Sequence, residues 1–453
     1  MADVPPVTQI LARFAHEAQG SAIPAVVRRE SLRALLNYLG CAIGASRHET
    51  IERALAALRP FAGAAQATVL GRGDRLDILN AALLNGIASH TFDFDDTHLR
   101  TVIHPAGPVA SAILALAELH PVRGPAFVDA FVIGVEVECR IGNAVYPSHY
   151  DVGWHITGTA GVFGAAAAAG RLLGLDVAQL THALGIAATT SSGLREMFGS
   201  MCKPFHPGWA ARNGLTAALL AQQGFTSAAQ GIEGKRGFAN VLATERDYGE
   251  ITKPFGETWE LMENTYKPFA CGVVIHPVID GCIELRNTYG LKAADIASIA
   301  AEVHPLVLEL TGKKRPQSGL EGKFSVYHSA AVAIIDGAAG QAQYADTRVR
   351  DPEVIALRDK VTATVNHAIA GDAARVAIAL DDGRTLETYV EHAIGSLEKP
   401  MDDEDLMQKF RDLTVPIVGE HAAEALVEQV WALEAMEDVG RICAMTVPSH
   451  ARR

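Results

Sequence analysis

The sequence predicts a mainly α protein, a large all-α helical domain with a smaller α+β unit inserted, and three observations lead there. Apolar residues recur at helical spacing with little interruption over residues 7–255, as in SLRALLNYLGCAIGAS (31–46) and DILNAALLNGIAS (77–89). Hydrophobic residues make up 49% of the chain but aromatic ones only 6%, with Ala and Gly abundant, which suits closely approaching helices better than a sandwich of bulky strands. The texture changes after Lys267 and returns to a helical period near residue 396.

Residues 1–267 are therefore expected to form the first part of the helical domain. Within them GTAGVFGAAAAAGRLLGL (158–175) carries small residues on most faces and predicts a central helix crossed tightly by its neighbours. Residues 268–395 are expected to form the α+β unit. There IASIAAEV (296–303) reads as a strand, and RVAIAL (375–380) and TLETYVEH (385–392) read as two more around an Asp-Gly turn. Residues 396–453 return to helical spacing with acidic residues in a first turn, and are expected to pack back on the first domain.

Composition excludes several classes of function. The formal net charge of -13 and the lack of a Lys/Arg run argue against a nucleic-acid partner. The six cysteines are scattered without a C-x-x-C pair, which argues against an iron–sulfur cluster, a zinc knuckle or a disulfide framework and fits a reducing compartment. The first twenty residues have no basic segment followed by an apolar one, and the longest apolar run stops at Arg171, too short for a bilayer. The expectation is a cytoplasmic protein with no membrane partner.

Chemistry concentrates in HTFDFDDTHLRTVIHP (90–105), with three aspartates, three histidines and three threonines in sixteen positions. Asp93, Asp95 and Asp96 cannot all be buried unpaired, because each ionised carboxylate would carry a large desolvation cost; an acidic helix end is the plain alternative. His104 lies a short loop downstream, where neighbouring carboxylates are expected to orient it and raise its pKa into the range of proton transfer. On a continuing helix Asp93 and Thr97, at i and i+4, would face one way, while His98 and Arg100 read as solvated loop residues. Nothing has the spacing of H-E-x-x-H or of an EF-hand, so no metal is expected.

Four further stretches hold candidate groups. GSMCKPFHPGWAARN (199–213) supplies Lys203 and His206; Lys203 precedes a proline and should sit at a loop or helix edge, the next helix beginning at Gly208. NTYKPFACGVVIHP (264–277) repeats the lysine-before-proline arrangement at Lys267, where the two domains are expected to meet and where ligand sites are favoured. GLEGKFSVY (319–327) supplies Lys323, Ser325 and Tyr327, with a strand or helix start as the plain alternative. GWHITGTAG (153–161) supplies His155 at the head of a small-residue helix. GIEGKRG (231–237) and Gly312-Lys313-Lys314 match neither Walker A nor G-x-G-x-x-G after a strand, so no nucleotide follows from them.

Taken together and in this order, DFDDTHLRTVIHP, GWHITGTAG, KPFHPGWAARNG, EGKRGF, NTYKPFACGVVIHP, EGKFSVY and the EKPM-led C-terminal helices resemble the MmgE/PrpD family over nearly the whole chain. That family includes 2-methylcitrate dehydratases, cis-aconitate decarboxylases and iminodisuccinate epimerases. The resemblance implies a homodimer, a helical domain made by both chain ends, a small α+β lid, and catalysis on a small anionic carboxylate without metal or organic cofactor.

It also places Asp93, Thr97, His104, His155, Lys203, Lys267 and Tyr327 at the active site, with His206, Lys323 and Ser325 adding to substrate binding. Fixed cations and donors in a closed site would stabilise the carbanion formed next to a carboxylate. Lys203 and Lys267 would then bind and polarise carboxylates, and His104 would transfer the proton. Asp93 would orient or tune His104, Thr97 would position a substrate oxygen, and Tyr327 or His155 would protonate the leaving hydroxyl or the carbanion.

Two departures bear on the reaction. Gly272, five positions after Lys267, stands where animal-type decarboxylases of the family have a histidine, and the loop between Asp95-Asp96-Thr97 and His104-Pro105 is longer than theirs. Ala106-Gly107-Pro108 follows that His-Pro where the dehydratases have Ser-Asp-Asn. The expectation is a hydro-lyase of the 2-methylcitrate dehydratase type. Decarboxylase and epimerase remain alternatives within the same chemistry, and a catalytically silent binding relative is the alternative from another class.

Overall fold

The structure is a computed structural model describing residues 4–449. Its centre is the helix Ile156–Leu172, in which every residue from Ile156 to Gly170 is buried, and the helices Gly124–Val145, Ala106–Leu119, Val177–Thr190 and Cys202–Gln222 pack around it. The small residues of 158–175 serve the close crossings expected of them: a Cβ on Gly164 would strike Glu138, and one on Gly214 would strike Ala165 across the interface. Close crossing without large side chains leaves room for polar groups at helix ends, and the site is built from such ends.

A second crossing matters more for the site. The helix Ile78–Thr91, started by Asp77 accepting from the Asn80 amide at 3.0 Å, crosses Cys202–Gln222 where Gly86 meets Gly208. A Cβ on Gly86 would lie 2.5 Å from the Gly208 Cα, and one on Gly208 would run into the Leu83 carbonyl oxygen. This contact sets the spacing between the end of the first helix, which leads to Asp93, and the first turn of the second, which carries Lys203.

The Cys202–Gln222 helix begins six residues before the expected Gly208. Pro204 falls in the first turn, where its missing N–H needs no partner, and Pro207 forgoes only one bond inside the helix. A proline pair that reads as a boundary is thus absorbed by one helix start. Lys203 does sit at a helix edge, as expected.

After Lys267 the chain builds a four-stranded sheet, three of whose strands the sequence pattern predicts; the fourth, Val361–Val365, it does not. Its order is Val361–Val365, Ile296–Val303, Ala374–Leu380, Thr385–Val390; the first pair is parallel and the others are antiparallel. The helix His276–Tyr289 covers the Ala374–Leu380 and Thr385–Val390 strands, and Val326–Asp336 packs on that helix, closing an apolar core around Ile279, Val303, Val332 and Ile378. The chain then returns. The helix Asp403–Val418, opened by a reciprocal cap between Asp402 and Asp405, packs along Ala25–Gly44, with Asp403 ion-paired to Arg29 and Arg33. Among the described residues no helix is long and apolar enough to cross a membrane.

Replacing Gly208 by Val would force the two helices apart and destabilise the protein by about 1–3 kcal/mol. Urea unfolding should show a lower midpoint, and a midpoint equal to that of the parent would remove this crossing as the spacer of the site.

Candidate active site

The sixteen-residue stretch 90–105 folds as a helix end, a strained turn and a two-residue strand. The helix stops at Thr91, and Asp93 takes φ 51°, a left-handed conformation that aspartate tolerates. Asp93 and Thr97 therefore do not share a helix face, contrary to the i, i+4 expectation. Thr97 and His98 instead pair antiparallel with Thr265 and Asn264. That short ladder brings Lys267, two residues past Thr265, alongside the turn at Asp93.

Asp93 Oδ1 then receives both lysines. Lys267 Nζ lies 2.6 Å away and Lys203 Nζ 3.1 Å away, and all three side chains are buried. The backbone under this group is held just as firmly. Lys323 donates to the Phe92 carbonyl at 2.7 Å, Lys267 to the Asp93 carbonyl at 3.2 Å and Lys409 to the Phe94 carbonyl at 2.6 Å, so three successive carbonyls each accept from a different lysine. Lys409 also donates to the Lys267 carbonyl at 2.8 Å, tying the C-terminal helix to the same point.

His104 follows Val102, whose φ of 55° is a costly left-handed conformation for a β-branched residue. Its Nδ1 lies 2.7 Å from the Asp96 carbonyl oxygen and 3.3 Å from Thr97 Oγ1. A carbonyl only accepts, so Nδ1 carries the proton, and Nε2 is left as a free lone pair. Asp95 accepts from His90 Nδ1 at 2.7 Å and stands 3.7 Å from His104 Nδ1. Asp96 accepts from Asn264 at 2.9 Å and from the Ala106 amide at 3.3 Å. His155, at the head of its helix, makes no capping bond; its Nδ1 shares a proton with His206 Nδ1 across 2.8 Å.

These groups surround one small cavity lined on its polar side by Asp93, Thr97, His104, Tyr150, His155, Lys203 and Lys267. Its apolar side is Val102, Phe198, Val273, Val274, Leu310 and Phe324, with Gly272 and Thr311 between. Six of the seven residues expected to be catalytic thus line one space. The seventh, Tyr327, does not: it lies on the helix Val326–Asp336 with Lys314 over its ring. Tyr150 lines the space instead, and nothing in its local sequence marks it.

The additional binding residues stand outside the lining. His206 backs His155, Lys323 is spent on the Phe92 and Ala270 carbonyls, and Ser325 caps its helix by accepting from the His328 amide at 3.1 Å. His98, expected in solvent, is buried between Thr101 and Glu260, while Arg100 is exposed and pairs with Glu250.

Electrostatics corrects two further expectations. Burial and the nearby lysines outweigh Asp95 and lower the His104 pKa to about 3, so it is held neutral rather than raised toward protonation. Asp93 does not orient His104; that falls to the Asp96 carbonyl and Thr97. Burial opposes ionisation of Asp93, yet Lys203 and Lys267 hold its carboxyl well below the usual range. Burial likewise opposes Asp95, but His90 and His104 keep it ionised. Burial and the Asp95 charge push Asp96 up to about 7, and burial depresses His155 well below its ordinary value and His206 to about 4. The cavity lining therefore presents two ammonium groups, the Asp93 carboxylate and the neutral imidazoles of His104 and His155, with ionised Asp95 behind them.

Donor atoms of His90, Asp93, Asp95 and His104 lie within 4.8 Å of one another, a spacing compatible with a metal ion. The anionic face of that cluster is already taken by Lys203 and Lys267, so a dication there would meet two ammonium groups.

Comparison with known proteins gives the family. The MmgE/PrpD N-terminal domain matches residues 9–251, and the MmgE/PrpD C-terminal domain matches residues 269–434. This chain belongs to the MmgE/PrpD family. It is 28% identical to a cis-aconitate decarboxylase of Aspergillus terreus over 96% of this chain and 94% of the relative. The mouse cis-aconitate decarboxylase is 28% identical over 95% of this chain and 91% of its own. A 2-methylcitrate dehydratase of Cupriavidus necator is 26% identical over 83% and 84%.

The shifted groups make opposite contributions to stability with pH. His104, at about 3 against an ordinary 6.5, contributes stability present above pH 6.5 and lost as pH falls toward 3. Asp96, at about 7 against 3.8, contributes stability present below pH 3.8 and lost as pH rises to 7. Between pH 4 and 6.5, His104→Gln should therefore flatten any rise of stability with pH, and Asp96→Asn should steepen it, each by up to about 1.4 kcal/mol per pH unit. Denaturant titrations across this range check both; changes of the same sign in the two variants would contradict the assignment.

Proposed function

We propose that this member of the family is a lyase that forms a carbanion next to a carboxylate of a small polycarboxylate and expels a neighbouring group, water in the leading form. The observation that carries the reading is the convergence of Lys203 and Lys267 on Asp93 beside the unpartnered Nε2 of His104. A substrate carboxylate entering this space takes over ammonium contacts from Asp93. As the proton leaves the adjacent carbon, charge grows on that carboxylate, and two fixed ammonium groups in a dry site stabilise it more than they stabilise the ground state.

His104 Nε2 accepts the proton. Its low intrinsic basicity rises when negative charge enters the cavity and the lysines are neutralised, so the base strengthens only with substrate bound. The hydroxyl leaves with a proton from Tyr150, which burial keeps protonated, or from the imidazole pair His155–His206. The α+β region acts as a lid in this reading, since Gly272, Thr311 and Phe324 form one wall of the cavity.

Decarboxylation is the second reading. It is favoured by the decarboxylase relatives, which match a larger share of this chain than the dehydratase does. Against it, Gly272 offers no side chain to protonate the carbanion left by carbon dioxide.

Proton NMR in deuterated buffer, with citrate, 2-methylcitrate, cis-aconitate and aspartate-derived diacids, separates the outcomes. Loss of the hydroxy acid with a new alkene signal is expected. Loss of cis-aconitate with a new terminal vinyl pair would favour decarboxylation, and exchange without loss would mean epimerisation. With an active acid, Lys267→Met should lower kcat/KM by about 10²–10³-fold. Near-parental turnover by His104→Ala would exclude His104 as the base.

A further inference from the structure

We infer that Arg195 is the residue on which an incoming carboxylate first lands, and that its ion pair with Glu309 is the latch of a gate formed by residues 193–199. The inference rests on the proposed reading of the ligand as a polycarboxylate and assigns its way in.

Size requires a gate. The catalytic cavity offers about 50 Å³, close to the share of one or two waters at about 30 Å³ each and well short of the ~300 Å³ at which small-molecule sites begin. A polycarboxylate therefore reaches Lys203 and Lys267 only if a wall moves. Two walls are shared with neighbouring spaces. Val102, Val273 and Val274 back onto an apolar chamber whose lining holds Asp372 and no lysine or arginine. Phe198 and Leu310 back onto a surface depression of about 450 Å³, lined also by Val152, Leu194, Arg195 and Glu309. A polyanion finds a cation on the second side only.

That second wall is a seam between two regions of the chain. Residues 193–199 lie between the helices Val177–Thr190 and Cys202–Gln222, whereas Glu309 and Leu310 belong to the short helix Pro305–Thr311 of the α+β region. Inside the seam Phe198 stacks on Phe324 with ring centroids 5.6 Å apart; outside it Arg195 Nη2 lies 2.5 Å from Glu309 Oε1. The guanidinium sits 4.1 Å from the centre of the Tyr150 ring, a lining residue of the cavity, and donates to the Tyr150 carbonyl at 2.8 Å. Its Nε is buried without a hydrogen-bond partner, so the group has a donor to spare. Glu309 is the replaceable member of the pair, its side chain 53% exposed against 14% for Arg195. The segment begins and ends on glycines with positive φ, 132° at Gly193 and 85° at Gly199, where the backbone can change direction at little steric cost. An arriving carboxylate takes Arg195 from Glu309, residues 193–199 part from Pro305–Thr311, and the acid passes to the lysines.

The test uses tricarballylate, a tricarboxylate with no hydroxyl to lose, and stopped-flow fluorescence of the full-length protein to read association and dissociation rates. Trp154, bridged to Leu194, supplies a signal beside the gate. Glu309→Gln opens the latch, keeps Arg195 and, at an exposed position, is compatible with folding. Both rates should rise by about two- to fivefold. Glu196→Gln removes the same charge from the same depression without touching the ion pair; electrostatic steering acts on association, so its dissociation rate should stay parental. Arg195→Gln should dissociate as fast as Glu309→Gln but associate about tenfold more slowly than it, because the landing cation is lost with the latch.

Parental dissociation in Glu309→Gln would overturn the inference, as would Arg195→Gln associating as fast as Glu309→Gln. Absence of tricarballylate binding would overturn it whatever the turnover. Turnover is scored separately. An acid turned over by a protein in which Glu309→Gln leaves both rates parental would keep the lyase reading and remove the gate. Faster exchange of tricarballylate in Glu309→Gln without turnover of any polycarboxylate would keep the gate and remove the lyase reading.

Discussion

One carboxylate shared by two ammonium groups holds the site together. Asp93 is buried, and without Lys203 and Lys267 it would be an uncompensated charge; without Asp93 the two lysines would repel each other in the same place. The three residues come from a helix end, a helix start and the segment after a two-residue ladder, so forming the group requires all three elements to be in place. Lys323 and Lys409 extend the dependence to the α+β region and to the C-terminal helix, since each holds a carbonyl flanking Asp93. In the proposed reaction its internal partner is replaceable, since a substrate carboxylate would offer the lysines what Asp93 offers.

The histidines are shaped by the same dry surroundings. Burial holds His104, His155 and His206 neutral, and the hydrogen bond from His104 Nδ1 to a backbone carbonyl decides which nitrogen is free. A neutral imidazole with a fixed tautomer accepts a proton in one direction only. Asp95, a short step from both His90 and His104, supplies the negative charge that would make an imidazolium tolerable in the proposed reaction.

Much of the architecture was legible because it is written in local periodicity. The helical spacing of 77–89, the small-residue run of 158–175 and the strands at 296–303, 375–380 and 385–392 all appear close to where the pattern puts them. The expectations that failed depended on what surrounds a residue. Gly208 reads as a helix start after two prolines, but the helix begins at Cys202 and accommodates both. Asp93 and Thr97 look like one helix face, yet the backbone turns left-handed between helix and strand. His104 beside carboxylates reads as a raised pKa, whereas desolvation is the larger effect. Tyr327 lies near a motif but not in the cavity, and Tyr150, without a motif, lines it.

By itself the sequence determined the element types, the change from helical to α+β texture, and most of the lysines, histidines and aspartates that meet in the cavity. Those depend on neighbours along the chain and on residue chemistry, which a single sequence displays. Only the tertiary structure decided that Lys267 meets an aspartate 174 residues away, that Lys323 donates to the Phe92 carbonyl, and that an apolar chamber adjoins the charged cavity. Such pairings, and the low dielectric that sets every charge in the site, come from how distant elements pack, and no local pattern encodes them.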